Sequence, residues 1–411
     1  MAQEHMVITG GGLAGATAAK TLRAEGYAGP ITLLGAENRI PYIRPPLSKE
    51  FLLGKVGEEA VEVAPASWYA ENDVEFLPET PVTGIDPQGH SVTLANARNL
   101  TYSALLLATG AQPRTVPIPG IDLDGVMTFR TFGDSLRLRA HIKDGGRNVV
   151  MIGSGWIGME LAAAARAYGN EVTLLGLEDI PLSAALGPEL GTYFQHLHSA
   201  HGVNFRLPAS ASRIEGKNGG VTAVHTNTGE TLQADVVVVA VGVLPDTSLA
   251  ERAGLALRNG ILVDAGLHTS APDVFAAGDA ANAFHPFIGE HQRSEHWANA
   301  LNGGKIAAQS MLGQDAVLDA VPYFYTDQFD LSMEYSGFPS LATGRVPVIR
   351  GSLDDGSFLA FWLRDDRLVA GMSVNQRRVQ KSIKALISGR VRVDAGSLTD
   401  PGMPLEELLP H

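Results

Sequence analysis

Val7-Ile8-Thr9-Gly10-Gly11-Gly12-Leu13-Ala14-Gly15 decides how the chain is read. Val7 to Thr9 read as a short buried strand, and Gly10, Gly12 and Gly15 fall in the spacing G-x-G-x-x-G. Small and apolar residues at helical spacing follow from Ala16 to Ala24. Each glycine has a chemical reason to be there. Gly10 permits a tight turn, Gly12 lets backbone approach a pyrophosphate, and Gly15 lets helix and strand pack closely. The helix N-terminus then faces the negative charge. Alone, such a stretch is only a glycine-rich turn. Here it leads to a second strand, Ile31 to Leu34, and Glu37 stands just beyond, where a carboxylate binds an adenosine ribose. The pattern predicts a dinucleotide site.

The same unit recurs. Asn148 to Ile152 is an apolar strand that opens into Gly153-Ser154-Gly155-Trp156-Ile157-Gly158. A helix is predicted over Glu160 to Tyr168 and a strand over Glu171 to Leu175. Two matches in matching contexts predict two dinucleotide sites. In the second, Gly176 occupies the strand end where a ribose-binding carboxylate is usual, and Glu178 lies two residues beyond. No Arg or Lys stands between Arg166 and Arg206 to hold a 2′-phosphate. NADH is therefore expected rather than NADPH.

Bulk properties narrow the function classes. A chain of 411 residues is long enough for roughly two to three domains. Its formal charge of −13 argues against general nucleic-acid binding and against an anionic membrane surface. No run is apolar enough to span a bilayer, and the start lacks a basic stretch followed by an apolar one, so a cytoplasmic protein is expected. Cysteine is absent, which removes disulfides, Cys metal sites, iron–sulfur ligation and thiol catalysis together. No metal site is predicted.

Between the glycine turns, Pro41-Tyr42-Ile43-Arg44-Pro45-Pro46-Leu47-Ser48-Lys49 reads as a stiff, extended connection, since it carries three prolines. It is either a surface linker or a rigid segment that presents Arg44 and Lys49 to an anionic cofactor. Leu105 to Ala108 ends a buried strand in the turn Thr109-Gly110. Asp235 to Ala240 is nearly unbroken valine, hence buried on both faces, and turns out at Gly242. Asp273 to Asp279 is a strand ending in Gly278-Asp279; the acid there either meets a ligand or caps the following segment. From Pro322 aromatics and short alternating strands appear, at Val346 to Ile349, Phe358 to Leu363 and Leu368 to Val374, with a helix over Gln376 to Ile387. This predicts an α+β third domain with an antiparallel sheet.

Over its whole length the chain resembles the FAD-dependent, NADH-using ferredoxin reductase components of bacterial oxygenase systems. The marks are the two glycine fingerprints, Arg44-Pro45-Pro46-Leu47-Ser48-Lys49, Ala108-Thr109-Gly110, Ala277-Gly278-Asp279 and Tyr325-Thr326-Asp327-Gln328. The resemblance implies an α/β fold with two Rossmann-like domains and a C-terminal α+β domain. Residues 1–114 and 246–321 would form a discontinuous FAD domain, 115–245 the NAD domain and 322–411 an interface domain. It further implies that Gly12, Leu13 and Ala14 line the FAD pyrophosphate between Gly10 and Gly15, and that Glu37 holds the adenosine ribose. Arg44, Lys49, Thr109, Gly110 and Arg130 would contact the cofactor, Asp279 would bind the ribityl chain and Trp297 would lie beside the flavin. Gly153, Gly155, Ile157, Gly158, Glu160, Glu178 and Gly242 would serve NADH. The chain departs from the family at Ala36 and Gly176, where an acid is common.

Chemically, Lys49 and Glu160 are the candidate catalytic pair: a cation near the flavin that, if buried, needs a counter-charge. The alternatives are a surface lysine and a solvated acid favoured by the dipole in the first turn of its helix. Without cysteine, electrons entering as hydride must leave through the flavin itself, which suits an acidic [2Fe-2S] ferredoxin. Two other readings stay open: an NADH oxidase or monodehydroascorbate-type reductase with a small acceptor, and a slow redox-sensing flavoprotein. The oligomer is a monomer or weak dimer. A docking face for ferredoxin is expected between Arg364 and Arg392, where eight cations face two acids. There Arg377, Lys381 and Lys384 would share one helix face; the alternative is an ordinary solvated surface.

Overall fold

The computed structural model describes residues 4–410. They divide into two compact units. The first comprises the chain up to Ile43 with Glu58–Gln112 and Leu244–Pro322; the second comprises Arg44–Gly57, Pro113–Val243 and the chain from Tyr323.

In the first unit a five-stranded parallel sheet runs in the order Val274–Ala276, Ala104–Leu107, Met6–Thr9, Ile31–Leu34, Val74–Leu77. Its three inner strands are buried at every position, as their runs of Val, Ile and Leu require of a sheet covered on both faces. Helix Leu13–Ala24 leaves the central strand through the first glycine turn and packs on helix Trp297–Met311. The contact is close because Gly304 has no side chain: a Cβ there would lie 2.4 Å from the Ala14 carbonyl oxygen.

The second unit repeats the plan. Its parallel sheet runs Val203–Arg206, Glu171–Leu175, Asn148–Ile152, Val236–Val239, Val126–Thr128. Helix Trp156–Ala167 leaves the central strand through the second glycine turn. The same unit holds an antiparallel sheet in the order Tyr323–Gln328, Leu331–Gly337, Arg367–Val374, Ser357–Arg364, Val348–Ser352. The two sheets share one core, in which Leu161, Phe194, Met333 and Trp362 are buried together.

Three expectations are corrected. The segment 41–49 is not extended throughout: Pro45–Ser48 forms a 3-10 turn, because both prolines sit in its first two positions, where their missing N–H groups cost nothing. From Arg44 to Gly57 the chain, although it lies within the stretch expected to join the first domain, packs in the second unit, with Phe51 against Phe132 at 4.5 Å and Ser135 Oγ donating to the Leu47 carbonyl at 2.7 Å. Second, the helix expected from Gln376 runs Gln380–Ser388. Asn375 and Arg378 adopt left-handed φ of +52° and +67°, so the chain cannot be helical before Val379. Third, helix Trp156–Ala167 begins four residues earlier than expected, which moves Glu160 out of the first turn and away from the dipole argument. Among the described residues no helix is long and apolar enough to cross a membrane.

Candidate active site

The two glycine turns are built alike. Gly10 N–H donates to Leu34 O at 2.9 Å and Gly153 N–H to Leu175 O at 2.8 Å. Gly10 and Gly153 have φ of +121° and +119°, and a Cβ would lie 2.0 Å from Ala108 O in the first and 2.3 Å from Ala240 O in the second. Gly15 and Gly158 press on the carbonyl oxygens of Gly10 and Gly153, at 2.2 and 2.1 Å from a would-be Cβ. Gly12 and Gly155 behave differently: each begins its helix with no side-chain cap, and a Cβ would meet nothing within 4 Å. Their helices thus offer uncapped N–H groups beside an open approach, a cradle that fits a diphosphate. The residues present fit FAD in the first turn and a nicotinamide dinucleotide in the second.

In the first unit other predicted residues gather around this cradle. Glu37 follows the second strand, and its carboxylate accepts from Tyr42 Oη at 2.8 and 3.0 Å. Asp279 is buried within the 3-10 turn Gly278–Ala280 rather than capping it, and Gly278 packs against Ala14. Thr109 Oγ1 donates to Asp246 O at 2.6 Å and Asp246 N–H donates to Gly110 O at 2.9 Å. This ties the departing chain to the returning one. Trp297 opens its helix directly after His296. Burial pushes His296 down to about 4, against the opposing pull of the Asp279 carboxylate.

The second unit holds the rest. Ile157, two residues into its helix, is an exposed apolar side chain beside Gly155. Gly242 has φ +96° and accepts from Arg114 N–H at 2.9 Å. Arg44 donates to the Arg130 carbonyl at 2.5 Å. Glu178 is half-buried and accepts from Ser183 Oγ at 3.2 Å.

Lys49 and Glu160 meet in this unit. Lys49 Nζ lies 2.9 Å from Glu160 Oε1, and only 7 and 5% of the two side chains is exposed. Neither is therefore a surface residue. Glu160 also accepts from Ser48 Oγ and, at 2.6 Å, from Thr326 Oγ1. Lys49 further donates to Pro45 O at 3.2 Å and lies 5.6 Å over the Tyr325 ring. Burial, then the acids Glu50, Asp327 and Glu160, pushes the Tyr325 hydroxyl up to about 12. The Thr326 hydroxyl is itself held by Gln328 Nε2 at 3.0 Å, and Gln328 Oε1 meets His198 Nε2 at 2.7 Å. Because Thr326 must donate to the carboxylate, each donor in this chain points toward Glu160, and His198 carries its proton on Nε2.

Several members of these sites were invisible from the sequence. Tyr42 and Ser183 are anchors of acids five residues earlier in the chain, a spacing with no motif value. His198 joins the Lys49 network from a helix, Pro188–Ala200, that carries no signal. Beside Asp279, the consecutive residues Gln292, Arg293 and Ser294 each bury a side-chain polar atom without a hydrogen-bond partner. Such atoms ask for a ligand. Among the described residues no cluster of three His, Asp or Glu suits a metal.

Residues 4–304 match the family described as pyridine nucleotide-disulphide oxidoreductase, and residues 323–409 match the reductase C-terminal family. The chain is 38% identical, over the full length of both, to the ferredoxin–NAD(+) reductase component of the anthranilate 1,2-dioxygenase system of Burkholderia cepacia. It is 34% identical to the ferredoxin–NAD(+) reductase subunit of the benzene 1,2-dioxygenase system of Pseudomonas putida, covering 98% of this chain and 97% of that one. Among solved structures it superposes on the reductase of the covalent putidaredoxin reductase–putidaredoxin complex with a TM-score of 0.95 at 33% identity, covering 99 and 98% of the two chains.

Proposed function

Because this chain belongs to the ferredoxin reductase components of oxygenase systems, within the pyridine nucleotide-disulphide oxidoreductase family, we infer that it takes hydride from NADH onto FAD and passes single electrons to a ferredoxin that feeds an oxygenase. The observation that carries this reading is the duplicated, uncapped glycine cradle in a chain without cysteine. Two nucleotides are held, and no thiol stands ready to pass the electrons on.

FAD, when bound, supplies both hydride acceptance and one-electron release. The protein supplies position and field. Gly12, Leu13 and Ala14 would receive its diphosphate, Glu37 its ribose and Asp279 its ribityl chain, with Arg44, Arg130, Thr109, Gly110 and Trp297 as further contacts. Gly155, Ile157, Gly158 and Gly242 would receive NADH. Lys49 would be the cation that stabilises negative charge developing on the flavin, preorganised because Glu160 and the Pro45 carbonyl hold its ammonium. Residues 115–245 act as the NAD domain and 322–411 as the interface domain. The ferredoxin is of the acidic [2Fe-2S] type and docks on the exposed cations Arg377, Arg378 and Lys381. We place the reductase in the cytoplasm, where NADH is made, as a monomer or weak dimer.

The test is a screen of [2Fe-2S] ferredoxins for NADH-driven bleaching by the purified, flavin-loaded protein. Turnover with a ferredoxin well above that with oxygen or small oxidants supports the reading. Rapid turnover with small oxidants alone would make it a small-molecule reductase, and slow oxidation of NADH with every acceptor a redox sensor.

A further inference from the structure

The two glycine turns superimpose residue for residue in their hydrogen bonding, and the equivalence extends past the second strand of each. Gly35 follows Leu34 as Gly176 follows Leu175, and Glu37 corresponds to Glu178. Both acids are anchored by a hydroxyl five residues on, Tyr42 for Glu37 and Ser183 for Glu178. Between the first two glycines of each turn the residues differ, Gly11 in the first and Ser154 in the second.

That difference has a steric consequence. Gly176 is buried, and a Cβ on it would lie 2.3 Å from Ser154 Oγ, 2.7 Å from Ser154 Cβ and 2.7 Å from Leu207 Cδ2. The hydroxyl and the leucine tip can swing aside. Ser154 Cβ cannot, because it is fixed by the backbone of a turn pressed against Ala240. In the first turn the corresponding Cβ meets no atom of Gly11: on Gly35 it would lie 3.1 Å from Phe76 Cε2 and 3.3 Å from Phe76 Cζ. A side chain at 154 and a carboxylate at 176 therefore exclude each other. The acid that remains is Glu178, and no Lys or Arg stands between Arg166 and Arg206.

We propose that Ser154 and Ser183 are specificity-determining residues of the nicotinamide nucleotide site. Ser154 closes the strand-end position to a carboxylate, and Ser183 holds Glu178 as the acceptor for the adenosine ribose diol and against a 2′-phosphate. This rests on the NADH reading above. Ser183 acts through Glu178 and is a positioning residue.

The experiment measures NAD+ and NADP+ dissociation constants on the flavin-loaded protein by titration calorimetry, with thermal unfolding alongside. Glu178→Gln and Ser183→Ala should each shrink the preference for NAD+ by about tenfold, and Ser183→Thr should restore it. Gly176→Glu should lower the unfolding midpoint by several degrees. Ser154→Gly combined with Gly176→Glu should recover that midpoint, raise the preference for NAD+, and make Glu178→Gln silent. If Gly176→Glu is as stable with Ser154 as without it, or if Glu178→Gln and Ser183→Ala leave the preference unchanged, the proposal is overturned. Absence of NAD+ binding in the parent protein would instead overturn the NADH reading itself.

Discussion

Lys49 Nζ stands 2.9 Å from Glu160 Oε1 in a site where both side chains are nearly sealed from solvent. Lys49 directly follows the 3-10 turn Pro45–Ser48, and Glu160 stands in the second turn of a helix far along the chain. Removing one partner strands the other as a buried charge at a cost of about 3–5 kcal/mol. Lys49→Ala and Glu160→Ala should each destabilise by that order in urea unfolding and slow flavin reduction by NADH in stopped flow. The double variant should lose less than the sum of the two; additive losses would mean that the residues do not act as a unit.

Thr326→Val keeps the shape of the side chain and deletes the hydroxyl that donates to Glu160 Oε1. It leaves both the carboxylate and Gln328 Nε2 short of a partner, so a loss of about 1–3 kcal/mol is expected. Ser at 326 should restore most of it. A neutral Thr326→Val in chemical denaturation would remove this residue from the network.

His198 has no exposed surface, its Nδ1 has no hydrogen-bond partner, and burial pushes it down to about 4. The folded protein therefore binds this proton less readily than the unfolded chain does. Stability contributed by the neutral ring is complete above the ordinary histidine value of 6.5 and is lost as pH falls from there toward about 4. The loss amounts to about 3 kcal/mol for this residue. Urea midpoints measured from pH 7 to pH 4 should fall, and His198→Asn should flatten that slope; an unchanged slope would assign the acid sensitivity elsewhere.

Tyr42 donates to both oxygens of Glu37. Tyr42→Phe should loosen the carboxylate without disturbing the strand. FAD should then dissociate more readily, read as loss of flavin fluorescence quenching on dilution, whereas NAD+ affinity should stay as it was. Equal loss of both nucleotides would argue for general damage.

The cation surface near the C-terminus is narrower than a helical stripe. Arg377 and Arg378 stand on the loop before helix Gln380–Ser388, and Lys384 is half-buried with its ammonium 4.0 Å over the Tyr323 ring. Arg378 and Lys381 remain exposed. Reversing both to Glu should raise the apparent KM for ferredoxin severalfold at low salt, and the defect should shrink as ionic strength rises. Flavin reduction by NADH should be unaffected. Unchanged ferredoxin kinetics at low salt would move the docking face elsewhere.

What was legible in the sequence was what local chemistry dictates. Glycine spacing placed both cradles, and unbroken apolar runs placed the inner parallel strands to within about one residue, because a strand covered on both faces admits few polar positions. The edge strands Val126–Thr128 and Val203–Arg206 carry no such run and were not legible, and the strand expected to reach Asp279 stops at Ala276, where the chain turns into Gly278–Ala280. The acids after each second strand followed from the same register. Long-range pairing was not legible. Thr326 belongs to a recognisable run, yet nothing in it says that its hydroxyl meets Glu160, which lies 166 residues earlier. The helix expected from Gln376 failed on backbone conformation: Asn375 and Arg378 are left-handed, and a hydrophobic period cannot report φ. Pro45 and Pro46 were read as stiffening an extended segment, when the same fixed φ also starts a 3-10 turn.

The second unit is assembled from three separated lengths of chain, and this bears on the order of synthesis. A ribosome releases Ser48 112 residues before Glu160, and Glu160 166 residues before Thr326. Once Pro322 has emerged, every segment of the first unit exists. The second still lacks the strands that carry Met333 and Trp362, so its parallel sheet waits with part of its apolar core uncovered. That interval is when the nascent chain is most open to aggregation and most in need of a chaperone. A stop codon shortly after Pro322 would make the interval permanent.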